Sequence, residues 1–176
     1  HNLEYVVCCD RHMCQEAVNT VGKQTIIYTR DKWADMFAMW PNVKKLPALP
    51  YEGDKRQDEP FHWGTGPFAG VVATSFKPKA IFMLGFDLYP LPGADQKKDN
   101  NIYRDSKGYT YIKRPVDPSY WIHQFGKLFE YSDCRWIVVN RDDWKMPEQW
   151  SVHKNVFQET YEGMAKFVQK QLTKSK

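Results

Sequence analysis

The run Gly64-Thr65-Gly66-Pro67 holds the residue types best suited to chemistry in this chain. Proline fits the start of a helix, and glycine lets the backbone turn tightly before it. The N–H groups of such a start have no intrahelical acceptor, and with the Thr65 hydroxyl they form a ready anion site. The same residue types also begin helices that bind nothing, so spacing alone leaves both readings open. Downstream, Gly85 and Asp87 close an aliphatic run, and Tyr89 follows them. Asp87 could cap a turn, contact a ribose or orient a loop. A phenol at Tyr89 can donate a hydrogen bond to a phosphate or pack beneath a loop. Arg30 and Arg141 each sit just past a β-type run, as anion contacts would, and Asp10 ends another such run.

These residues need strands and helices to bring them together. Leu3–Cys9 and Gln24–Thr29 are short strand-type runs, separated by a helix over Arg11–Val21 with Met13, Ala17 and Val21 on one face. A second helix is expected over Asp31–Trp40, its Trp33, Phe37 and Trp40 serving as core and Pro41 ending it. Leu46–Tyr51 carries two prolines, so a strand there is short or at an edge. A helix from about Pro67 to Ser75 leads into a strand from about Lys79 to Phe86. Pro90–Pro118 is a long irregular stretch with Tyr103, Tyr109 and Tyr111, of the length that functional lids have. Beyond it come a helix over Ser119–Tyr131 with Trp121, Phe125 and Leu128 aligned, and a strand over Arg135–Val139. A final amphipathic helix has Phe157, Tyr161, Met164, Val168 and Leu172 as its stripe.

Strands alternating with helices predict an α/β fold whose mainly parallel sheet is covered on both faces. Ligands in such sheets bind outside the carboxyl ends of the strands. Asp10, Tyr28–Arg30, Asp87–Tyr89 and Asn140–Arg141 are therefore expected on one rim.

At 176 residues the chain fits one domain, spanning 1–176 with the lid inserted at about 90–118. A net charge of +4 with acids and bases interspersed lacks the basic stripe that nucleic acid requires. No apolar run reaches the roughly 20 residues of a membrane span. Cys8, Cys9 and Cys14 crowd together in a pattern that suits neither a disulfide framework nor a zinc knuckle, so they and Cys134 read as reduced thiols of a cytoplasmic protein. A start at His1 suggests a fragment, a processed product or a trimmed chain.

"WGTGPFAGVVATSFKPKAIFMLGFDLY" resembles the central motif of the bacterial sialyltransferases that modify lipooligosaccharide, and of related bacteriophage-encoded glycosyltransferase-like proteins. "YVVCCDRHMCQEA" and "SYWIHQFGKLFEYSDCRWIVVN" resemble other segments of that family more loosely. The resemblance implies a Rossmann-like sheet, a CMP-sugar donor, a glycan acceptor, no required metal, and direct displacement with inversion. Thr65 falls on the motif's serine, which contacts the nucleotide or donor; Gly64 replaces its threonine and Gly66 keeps its glycine. Asp10 stands where the family has a nucleotide-contacting asparagine, and Asp87 on the motif's strand-end acid. Tyr89 falls on a tyrosine that hydrogen-bonds the leaving phosphate, and Tyr103 is matched to a second one. With no metal, such phenols would stabilise charge developing on the departing phosphate.

The family's Gly-Asn-Gly-Pro-Ser turn has no counterpart here. A sheet lacking that first element would expose an edge, which a second copy or a partner chain could complete. The family's general-base histidine aligns near Val116 or Asp117, which makes Asp117 the candidate base. His123, a turn or two further on, reads as a partly buried structural residue. Two other readings stand beside this one. A non-catalytic phage module would keep the sheet without the base. A transferase resembling the 6-hydroxymethylpterin pyrophosphokinase-like proteins would need a metal, with Asp10, Asp87, Asp142 and Asp143 as candidate ligands.

Overall fold

Short β-branched and aromatic runs form the strands, and parallel pairing sets them side by side through intervening helices. The computed structural model describes residues 3–50, 63–88 and 118–174. Tyr89, Tyr103, Asp117 and nearly all of the expected lid lie outside them. The fold is α/β, with two parallel three-stranded sheets among the described residues in place of the single sheet expected. The chain divides into two compact units, residues 1–79 with 124–134, and residues 80–123 with 135–176.

In the first unit, β1 (Tyr5–Cys8), α1 (Arg11–Thr20), β2 (Ile26–Thr29), α2 (Asp31–Ala34) and β3 (Val43–Lys45) follow one another. The sheet order is β1-β2-β3, with Cys8 opposite Thr29 and Tyr28 opposite Lys44. Two buried threonines tie β2 to its neighbour: Thr25 Oγ1 donates to the Leu3 carbonyl at 2.7 Å and Thr29 Oγ1 to that of Cys8 at 2.8 Å. Cys8, Cys14, Ala17, Ile27 and Phe37 form the core over this sheet.

Three sequence expectations need correction in this unit. The helix expected over Asp31–Trp40 stops at Ala34 and tightens into a 3-10 turn over Asp35–Phe37. Only Phe37 of its aromatic trio is fully buried; Trp33 and Trp40 pack at the rim of the core. The edge strand lies at Val43–Lys45, ahead of Leu46–Tyr51, because Pro47 and Pro50 have no N–H to give a ladder. The next helix, α3 (Thr65–Ser75), starts two residues before Pro67, with Gly64 at its N-cap. Proline is tolerated at its third position because N–H groups of the first turn have no intrahelical acceptor. The face Pro67, Phe68, Gly70, Val71 and Val72 is buried, which requires the small and β-branched residues found there.

In the second unit, β4 (Ala80–Leu84), β5 (Arg135–Asn140) and β6 (Val156–Thr160) pair in that order, all parallel. The helix α4 (Ser119–Glu130) precedes β5, α5 (Glu148–Ser151) follows it, and α6 (Tyr161–Lys174) ends the unit. The first turn of α4, to His123, belongs with this unit and the rest with the first. Phe125 and Leu128 are buried as expected, with Ile122 and Phe129 beside them, but Trp121, in the first turn, is left partly exposed. His123 is exposed rather than structural, because it lies on the outer face of α4 with Glu130, seven residues on. Phe157 belongs to β6 and not to the terminal helix. Thr160 separates the two, its hydroxyl accepting the Gly163 N–H at 3.0 Å as an N-cap does. Met83, Trp136, Val138, Trp150 and Val156 are buried in this unit, and Trp150 Nε1 donates to the Ile122 carbonyl at 2.9 Å.

Candidate functional site

The carboxyl ends of β1 and β2 lie side by side because their register is parallel, and the chain just past each end carries polar groups. Cys9 follows β1 and Arg30 follows β2. The Arg30 guanidinium bridges them: Nε donates to the Cys9 carbonyl at 3.1 Å and Nη2 to the Trp63 carbonyl at 2.7 Å. Trp33 Nε1 donates to the same Cys9 oxygen at 3.2 Å, using its second lone pair. The guanidinium carbon also stands 5.8 Å from the centroid of Phe68, a buried residue in the first turn of α3. On the other side of the turn, the Gly64 N–H donates to Gln124 Oε1 at 3.0 Å, from a side chain with no exposed surface.

Two buried or half-buried side chains thus clamp the Gly64-Thr65-Gly66 turn against the end of β1. Phe68 N–H reaches back to the Gly64 carbonyl at 3.1 Å, the first intrahelical bond of α3. The N–H groups of Thr65 and Gly66 precede it and have no acceptor within the helix. Thr65 is exposed, and its hydroxyl hydrogen-bonds the Cys9 thiol. Asp10, the N-cap residue of α1, is also exposed and makes no side-chain cap bond, so its carboxylate remains on the rim beside Cys9.

The thiols here are not nucleophiles at neutral pH. Burial pushes the Cys9 thiol up, against the lowering effect of the Thr65 hydroxyl and Arg30. Burial, with Cys14 and Cys9 adding to it, pushes the Cys8 thiol up to about 12. What the site offers is two backbone donors, one hydroxyl and one carboxylate at the end of a parallel sheet.

Of the expected site residues, the structure gathers Asp10, Gly64, Thr65 and Gly66 in the first unit. Asp87 belongs to the second, exposed, in the loop after β4. That loop is pinned by its backbone: Trp144 Nε1 donates to the Asp87 carbonyl at 2.7 Å, and Asn140 Nδ2 to that of Phe86 at 3.4 Å. Arg30, expected as an anion contact, spends two of its donors on backbone carbonyls and acts as a brace. Arg141 pairs with Asp143 at 2.6 Å. Among the described residues no three His, Cys, Asp or Glu side chains gather as metal ligands would. Sequence reasoning missed Cys9 and Gln124 as parts of the site. No local signal marks the second, since Gln124 stands beside His123 in a helix that also carries Lys127. Comparison with protein-family models, curated proteins and solved structures finds no significant match.

Proposed function

We propose that the chain binds a nucleotide or nucleotide sugar at the carboxyl ends of β1 and β2, as a glycosyltransferase-like protein using a CMP-sugar donor. The observation that carries this reading is the convergence on Cys9: the start of α3, Asp10 and Arg30 all meet the end of β1. A phosphate oxygen suits the Thr65 and Gly66 N–H groups and the Thr65 hydroxyl. A ribose hydroxyl suits the Asp10 carboxylate, which can only accept. The Rossmann-like reading is supported by the first unit's strand–helix–strand–helix–strand order with parallel pairing, the half from which dinucleotide folds are built. The roles that the family resemblance implies for Tyr89 and Tyr103 at the leaving phosphate, and for Asp117 as the base at the acceptor hydroxyl, fall on residues outside the described ones.

Calorimetric titration with CMP, CDP, GDP and UDP, with and without magnesium, tests it. Metal-independent binding selective for cytidine, weakened at least about tenfold in Thr65→Ala, is the expected result. Equal, weak affinity for all four nucleotides, unchanged in Thr65→Ala, would sink the reading.

A further inference from the structure

We draw no further inference here: the strongest candidate, the partly exposed aromatic cluster that Tyr5 and Tyr28 of the β1-β2-β3 sheet form with Phe76 at the end of α3, carries nothing, because nothing in the structure shows what covers it.

Discussion

Arg30 donates from Nη2 to the Trp63 carbonyl at 2.7 Å, across 33 positions of sequence, while its Nε holds the Cys9 carbonyl. One planar side chain therefore joins the end of β1 to the turn that starts α3. Hydrogen bonds from a charged donor are each worth about 1.5–3 kcal/mol net when the partner carbonyls are withdrawn from water.

Replacing that fork should loosen the first unit. Arg30→Met removes both bonds but leaves the Cys9 oxygen its bond from Trp33. A loss of about 2–3 kcal/mol is expected from urea denaturation. Arg30→Lys keeps the charge, but one ammonium on a flexible stem cannot span two carbonyls, so it should recover less than half. Full recovery by lysine would show that charge, not geometry, is what matters at this position.

Gln124 makes a separate prediction about the same turn. Its Oε1 is the acceptor for the Gly64 N–H, and the side chain is wholly buried. Gln124→Leu fills the same space but leaves that donor unanswered, at a cost of about 1–3 kcal/mol. Hydrogen exchange read at the Gly64 amide should accelerate in the variant while the Ile27 amide, in the middle strand, keeps its protection. Unchanged exchange at Gly64 would mean that water already satisfies it.

The α3–β4 segment was legible in the sequence to within two residues at each end, because glycine, proline and a small-residue face each signal locally. β6 was not. Phe157, Tyr161 and Met164 fall at helical spacing by coincidence, and five residues are too few for strand alternation to outweigh that. Only the Thr160 cap, which ends one element and begins the next, separates them. The positions of Asp10, Arg30, Asp87 and Arg141 just past strand ends were readable from the alternation of strands and helices. Their braces were hidden: Arg30 is held by backbone carbonyls, which leave no trace in residue types. Gln124 reads as an outward-facing polar residue until the amide 60 positions away is placed against it.

Backbone conformation gives a pair of predictions with opposite signs. Lys77 follows α3 with φ at 51° and donates its N–H to the Thr74 carbonyl at 2.9 Å, the left-handed position where helices favour glycine. Lys77→Gly should therefore stabilise the fold by about 0.5–1 kcal/mol, net of the entropy glycine adds to the unfolded chain. Gly85 has φ at 76°, and a Cβ there would meet nothing within 4 Å. Gly85→Ala should cost about 1 kcal/mol from the backbone alone. Thermal unfolding of the two variants should move in opposite directions, and a shift of both the same way would contradict these conformations.

Alkaline pH should unfold the protein through its buried thiols. Burial raises the Cys8 thiol from an ordinary 9.0 to about 12, and Cys9, Cys14 and Cys134 are displaced the same way by burial. The folded state thus holds these protons more tightly than the unfolded chain does. The resulting stabilisation is complete below pH 9 and is lost as pH rises from 9 toward 12. Tyrosines and lysines titrate in the same window, so the comparison is between wild type and Cys8→Ala by urea denaturation. Below pH 9 their difference in stability should be constant, reflecting the packing lost in a small cavity. Above it, the wild type should fall more steeply and the two should converge. All four cysteines are free and buried, so a thiol reagent at neutral pH should find none in the native chain and four after denaturation. Prompt labelling of Cys8 in the native protein, or stability curves that stay parallel through pH 12, would show that the strand opens more readily than its packing implies.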